Sequence, residues 1–337
     1  MSKPFQIPDY ELVIEIARGS YGQVWLARSV LGTWRAVKIV QRSLFEDSRP
    51  YQREFNGIRE YEAIARGCDG LIDVLHVGRN EGEGYFYYVM ELADDQVVGQ
   101  SVRSADYSAR TLQSDLNARG ALPADECAFI GAELADALHY LHAHGLVHRD
   151  IKPSNIVYVD GRPKLADVGL VAGSGIASGE VGTVGFLPAK GAGDWQGDLY
   201  ALGKVLYEAS TGMDRNAFPD LPPEARQLSA RDPLMQLNQL WLRACSAEER
   251  ESFPDAASMA AALRRLNAPS FFAGPFTWRE KRLIALAAVL AFLLLASDAI
   301  LIYLGWRRET GKPLAVEQIE PAREDMLRGK FESQPDQ

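Results

Sequence analysis

Residues 148–155, reading HRDIKPSN, constrain this chain more than any other stretch. They set Asp150, Lys152 and Asn155 within six residues, and Asp167 follows twelve residues after Asn155, opening DVG at 167–169. Asp150 offers a carboxylate that can accept a proton from a hydroxyl, and Lys152 a cation that can steady a phosphate oxygen. Asn155 and Asp167 offer oxygen ligands of the kind a hard divalent cation takes. These are the parts needed to move a phosphoryl group, a reaction in which positioning and charge neutralisation supply most of the catalysis. The remainder of the chain must then fold so as to supply a phosphate-binding half.

The bulk numbers allow this. A chain of 337 residues, 47% hydrophobic and 24% charged, forms one large globular domain or two ordinary ones. A net charge of -9 argues against a nucleic-acid partner, which selects for a basic face. Cys68, Cys127 and Cys245 are far apart, with neither metal-ligand spacing nor a disulfide framework, which fits a reducing compartment. Lys3, Pro4, Pro8, Asp9 and Glu11 interrupt the first fifteen residues, so no signal peptide is expected and a strand can start near Tyr10.

Residues 283–306, LIALAAVLAFLLLASDAILIYLGW, carry one charge, Asp298, and meet the roughly 20-residue requirement for a bilayer-spanning helix. Tyr303 and Trp306 sit where interface aromatics belong, and Arg279, Lys281, Arg282, Arg307 and Arg308 flank the run. The expectation is a single-pass protein of the cell membrane with its large N-terminal part in the cytoplasm. Asp298 suggests a helix–helix contact in a homo-oligomer.

Upstream, VIEIARGSYGQV at 13–24 alternates apolar residues around a glycine turn and reads as a hairpin. A strand over 33–40 carries Ala36, Val37 and Lys38. A charged helix follows over 51–66, then strands over 71–77 and 85–92 joined by a turn over 78–84. Residues 124–143 form a helix with apolar positions Phe129, Ala132, Leu134, Leu138 and Leu141. His139, His142 and His144 have no acidic or cysteine partner at metal spacing and read as surface and capping residues. Another helix opens at Asp198, buries Leu199, Leu202, Val205 and Leu206, and ends at Gly212; helical segments over 233–245 and 255–266 follow.

Taken together, HRDIKPSN, DVG, the 17–24 glycine turn and Ala36-Val37-Lys38 resemble the bacterial eukaryotic-type serine/threonine protein kinases over residues 10–267. The resemblance implies an α+β, two-lobed protein kinase-like fold. Residues 10–93 would form an N-lobe of antiparallel sheet plus helix, and 94–268 a mostly helical C-lobe with an insertion at 94–115. A juxtamembrane segment at 269–282, the transmembrane helix at 283–306 and a flexible tail at 307–337 would follow. It also implies ATP and Mg2+, or Mn2+ in its place, as cofactors, and protein substrates as partners.

Carried over residue by residue, the resemblance makes Asp150 the base that orients the incoming hydroxyl, with Lys152 supporting the transferring phosphate. Asn155 and Asp167 would hold metal, and Lys38 would grip the nucleotide phosphates. Ala17, Gly19, Gly22, Val24 and Ala36 would surround the nucleotide, and the backbone of 91–93, from Glu91 to Ala93, would meet the adenine edge with Met90 behind it. Lys38 needs a carboxylate; the helix over 51–66 offers Glu54, Glu60 and Glu62, of which Glu60 fits the spacing to the following strand best, with Glu62 the main alternative. His148 would support the loop from beneath, and Asp198 would hold its backbone. Arg149 suggests control by phosphorylation at Ser174, Ser178 or Thr183. Three departures stand out: Ala17 for a glycine, Val168 for a phenylalanine, and Lys190 where a glutamate would pair with Arg250. A scaffold that binds nucleotide without transfer, or a kinase of small molecules, are the other readings.

Overall fold

The first ninety residues hold the strands expected from the sequence. In a computed structural model, which describes residues 5–19, 22–99, 106–168, 172–173, 183, 185–188, 194–248 and 250–266, they form a five-stranded antiparallel sheet of order β1-β2-β3-β5-β4. Its strands are β1 (Tyr10–Arg18), β2 (Gly22–Ser29), β3 (Trp34–Gln41), β4 (Val74–Asn80) and β5 (Tyr85–Met90). Because successive side chains point to opposite faces, Val37 and Ile39 join a core on the outer face with Ile7, Tyr85, Tyr87 and Val89. Ala36, Val40, Phe86, Tyr88 and Met90 belong to the main core on the other face. Lys38 shares that inner parity. One predicted strand is displaced: β4 starts at Val74 rather than at 71 and runs on to Asn80, into the segment expected to turn, while β5 starts at Tyr85 as expected and ends at Met90.

Helix α1 (Ser48–Ala65) packs beside the sheet, with Asp47 accepting the N–H of Arg49 as its N-cap. Its buried positions Tyr51, Glu54, Ile58, Tyr61 and Ala65 recur every three or four residues. The C-terminal part is mainly helical. Helix α2 (Leu112–Arg119) begins inside the segment 94–115. It is followed by α3 (Ala124–Ala143), β6 (Leu146–Val147), β7 (Ile156–Val159), β8 (Arg162–Leu165), β9 (Ala172–Gly173), α4 (Trp195–Thr211), α5 (Pro233–Ala244) and α6 (Ala256–Leu266). Helix α3 has the expected bounds, and Ala132, Leu134, Leu138 and Leu141 are buried, but Phe129 is 49% exposed: it lies off the core stripe. Helix α4 buries Leu199, Leu202, Val205 and Leu206 as expected. It starts three residues earlier than Asp198, because Asp194 caps it by accepting the N–H of Gly197, and Gly212 ends it at a φ of 67°.

Among the described residues, no helix is long and apolar enough to cross a membrane. The apolar run 283–306 with its flanks and Asp298, the segments 269–282 and 307–337, and Ser174, Ser178 and Lys190 lie outside the described residues.

Candidate active site

The site lies between the sheet and the helical part, in a cleft of about 790 Å³. Ala17, Val24, Ala36, Met90, Val157 and Ala166 give one portion of its lining an apolar character, and Gly19, Gly22, Glu91 and Ala93 also border it. Lys38, Glu54, Asp150, Lys152, Asn155 and Asp167 supply the charged and polar portion. Gly22 is sterically required, since a Cβ there would lie 2.4 Å from the carbonyl oxygen of Ile39 on β3. Gly19 donates its N–H to Gly22 O at 2.9 Å, closing the turn between β1 and β2.

The carboxylate beside Lys38 is Glu54, at 3.8 Å, not Glu60. Glu60 is exposed on α1. The reason is helical phase: Glu54 lies on the stripe of Tyr51, Ile58 and Tyr61, whereas six further residues turn the helix by about 600°, which leaves Glu60 about 120° away from it. Glu62 is off the stripe too, pairing with Arg66 at 3.8 Å. Asp167 comes closer still to Lys38, with Oδ1 2.5 Å from Nζ. Burial works against the charge on Lys38, but Asp167, Tyr88 and Glu54 together hold its pKa well above the usual lysine value. Desolvation within the cleft opposes ionisation of Asp167 as well, although its side chain keeps 44% exposure, and the proximity of Lys38 outweighs it, keeping the carboxyl below its ordinary range. Glu54 is the loser of the three. It is 5% exposed and farther from the cation, and burial pushes its pKa up to about 7.

The loop 148–155 is held from below by Asp198, 1% exposed. Its carboxylate accepts the N–H of His148 at 2.9 Å and of Arg149 at 2.8 Å, and Oδ2 lies 2.8 Å from Nε2 of His142. That grip keeps Arg149 at a φ of 71°, and Asp167 stands at 56°. Left-handed backbone at non-glycine residues is a strained state that persists only where its surroundings over-determine it. His148, fully buried, bonds through Nε2 to Ala166 O at 3.1 Å and takes the N–H of Asp150 on Nδ1 at 3.4 Å. It is a strut beneath the loop, not a group in the cleft. His142 is likewise occupied by Asp198, and His144 by Tyr140 O. Among the described residues there is no cluster of three or more His, Cys, Asp or Glu placed to hold a metal.

Three groups converge on the carboxylate of Asp150. Asn155 donates Nδ2–H to Oδ2 at 2.8 Å and also to the backbone carbonyl of Asp150. Lys152 reaches Oδ2 at 2.8 Å. The hydroxyl of Thr183 donates to Oδ1 at 2.7 Å and accepts from Lys152 Nζ at 3.0 Å. An alcohol oxygen thus sits between a carboxylate and an ammonium. Thr183, expected as a modification acceptor, has its hydroxyl committed here.

The segment carrying Thr183 is anchored by residues that the sequence did not point to. Phe186, 2% exposed, packs under the guanidinium of Arg215 at 4.8 Å, and Arg215 pairs with Glu208 of α4 at 3.6 Å. Gly185, at a φ of 91°, passes so close that a Cβ would lie 2.8 Å from Arg215 Nε. Arg250, the expected partner position of residue 190, is exposed. Val168 is fully buried in the main core, its smaller side chain accommodated without exposure. The side chain of Glu91 is structural: Oε1 accepts from Asp73 N at 2.8 Å and from Lys164 Nζ at 2.6 Å, fixing the strand that ends β5 against β8.

A mixed N-terminal lobe, a helical C-terminal lobe and a cleft between them with Asp150 at its charged portion define a phosphotransferase domain of the two-lobed kind. Residues 10–267 match the model of the protein kinase domain, and the chain belongs to that family. It is 31% identical over 219 residues to the serine/threonine-protein kinase AfsK of Streptomyces coelicolor, a match that covers 62% of this chain and 25% of that protein. It is 31% identical over 216 residues to the DNA damage-responsive serine/threonine-protein kinase RqkA of Deinococcus radiodurans, covering 60% of this chain and 30% of that protein. The chain therefore spans about a quarter to a third of the length of these curated relatives. The kinase domain of Mycobacterium tuberculosis PknI shares the fold, with a TM-score of 0.57 at 22% identity over 79% of this chain and all of that one.

Proposed function

We propose that this chain is an ATP-dependent serine/threonine protein kinase that transfers the γ-phosphoryl group of ATP to hydroxyls of protein substrates. The observation that carries the reading is the alcohol seated on Asp150, with Lys152 on the same oxygen. A substrate hydroxyl brought to the same carboxylate beside Thr183 has an acceptor to orient it and receive its proton, and an ammonium to offset charge on the group being transferred. Asn155 keeps Asp150 from rotating away. Lys38, held by Glu54 and Asp167, is the cation for the nucleotide phosphates.

The cleft suits ATP in size and in its division between apolar and charged lining. The donor set suits Mg2+, and Mn2+ by the same chemistry, because such ions are bound by one or two protein oxygens completed by substrate phosphate. Asp167 is ionised and 44% exposed at its side chain, and Asn155 spends its amide N–H on Asp150, leaving its amide oxygen as a ligand. When bound, the metal neutralises phosphate charge. The similarity to bacterial serine/threonine-protein kinases supports proteins as the substrates.

The test is incubation of the whole chain, in detergent, with γ-labelled ATP, Mg2+ and a generic protein, followed by analysis of the labelled amino acid. Label on serine or threonine is expected. Nucleotide binding without transfer points to a scaffold, and label on small alcohols alone to a small-molecule kinase; either result refutes the proposal.

The apolar run 283–306 supports a single-pass membrane anchor with the kinase domain cytoplasmic, and Asp298 supports a homo-oligomer built on it. Retention in the membrane pellet after carbonate extraction is expected, and release into the supernatant refutes the anchor.

A further inference from the structure

The segment that follows Ala93 leaves the edge of the cleft and returns to it, and its two ends are pinned. Asp95, 4% exposed, accepts the N–H groups of Val97 and Val98 on Oδ1 at 2.8 and 3.0 Å, and that of Ser108 on Oδ2 at 3.0 Å. The Asp94 carbonyl accepts the N–H of Arg110 at 2.7 Å. The Asp94 carboxylate takes the N–H groups of Asp160 and Gly161, in the turn between β7 and β8, at 3.1 and 2.8 Å. This scaffold delivers Tyr107 into the cleft wall, 6% exposed, with its hydroxyl donating to the carbonyl oxygen of Ala93 at 3.0 Å.

We infer that Tyr107 determines nucleotide specificity: its ring sets the outer limit of the base site and its hydroxyl withdraws the Ala93 carbonyl from the ligand. The inference rests on the reading of the cleft as an ATP site. An adenine meeting the backbone of 91–93 presents its 6-amino group, N1 and carbon 2 along one edge. Met90, at the end of β5, stands at one end of that stretch. Tyr107, bonded to Ala93, stands at the other, so an adenine whose 6-amino group lies toward Met90 would bring carbon 2 beside it. A ring fixed at that point by buried hydrogen bonds rejects bulk on carbon 2, and a carbonyl that already has a donor gains less from a 2-amino group. A segment of no legible purpose in the sequence thereby becomes part of the nucleotide site.

The experiment measures equilibrium dissociation constants of ATP, 2-methylthio-ATP and 2-amino-ATP for the whole chain in detergent, with Tyr107→Phe and Tyr107→Ala alongside. Tyr107→Ala should lower the ratio of the 2-methylthio-ATP constant to that of ATP by about tenfold, the scale of one relieved steric contact. Tyr107→Phe keeps the ring and should leave that ratio unchanged, but should lower the corresponding ratio for 2-amino-ATP by roughly fivefold, as one neutral hydrogen bond regained allows. Should the alanine variant fail to fold, the 2-amino-ATP ratio of the phenylalanine variant decides alone. Ratios that stay at wild-type values while ATP binds normally overturn the role of Tyr107 and leave the kinase reading standing. Failure of the wild-type chain to bind ATP at all removes both.

Discussion

Replacing Glu54 with Gln should make the protein more stable and less active, by amounts that depend on pH in a defined way. Glu54 is 5% exposed, 3.8 Å from Lys38, and its pKa is raised from 4.5 to about 7. A raised carboxyl pKa means that the fold favours the protonated form. The contribution of that preference is fully present below the unfolded value of 4.5 and is lost as pH rises through 7. Above pH 7 the native state holds an ionised carboxylate at a cost of about 3 kcal/mol, from about 2.5 pKa steps at 1.36 kcal/mol each. Gln has the same shape and no charge to bury. The gain from Glu54→Gln should therefore be near zero at pH 4, about 1.4 kcal/mol at pH 5.5 and about 3 kcal/mol at pH 8. At pH 8 this corresponds to a rise in Tm of about 6–12 °C for a domain of this size. Thermal melts followed by circular dichroism from pH 4 to 8 measure it. The same variant should lose phosphotransfer, because Lys38 then keeps only Asp167 as its anchor. Glu60→Gln, on the exposed face, should change stability by less than about 0.5 kcal/mol and leave transfer intact. A Glu54→Gln variant less stable than wild type at pH 8, or a difference that does not vary with pH, rules out a Glu54 carboxyl whose ionisation the fold penalises.

Asp198→Ala strips two buried backbone N–H groups of their acceptor and should destabilise by about 3–5 kcal/mol, seen as a lowered urea midpoint together with loss of activity. Gly22→Ala should lower Tm and raise the nucleotide Kd, since its Cβ would meet the Ile39 carbonyl at 2.4 Å. Gly19→Ala, whose nearest neighbour would lie at 4.0 Å, should leave Tm unchanged. Thr183→Val should reduce phosphotransfer at least about tenfold, the weight of one hydrogen bond to a charged group. It should not move the nucleotide Kd, and Thr183→Ser should restore transfer.

The parts of the site that share one short stretch of chain were legible because their spacing alone brings them together. Asp150, Lys152 and Asn155 occupy one loop, and the buried stripes of α3 and α4 follow from their period. Linear spacing to the next strand points to Glu60, whereas helical phase decides the pairing in favour of Glu54. Only Glu54 among the acids of α1 lies in register with Tyr51, Ile58, Tyr61 and Ala65, and that signal was present in the sequence. Tyr107 and the Arg215–Phe186 contact carry no such signal. Each depends on where a long excursion of backbone returns, which local propensity does not encode. The early start of α4 has a simpler cause: Asp194 is a good N-cap, and Asp198, which looked like the helix opening, lies in its first turn and faces the loop instead.

In the proposed reaction Asp150 acts on the hydroxyl and not on the nucleotide. Single-turnover phosphotransfer by the whole chain, with wild type and Asp150→Asn compared at equal nucleotide saturation, tests it most directly. The variant should bind ATP with an unchanged Kd and lose transfer by at least about a hundredfold, the lower range for a positioned general base. Transfer at the wild-type rate, or a loss explained wholly by weakened nucleotide binding, contradicts it.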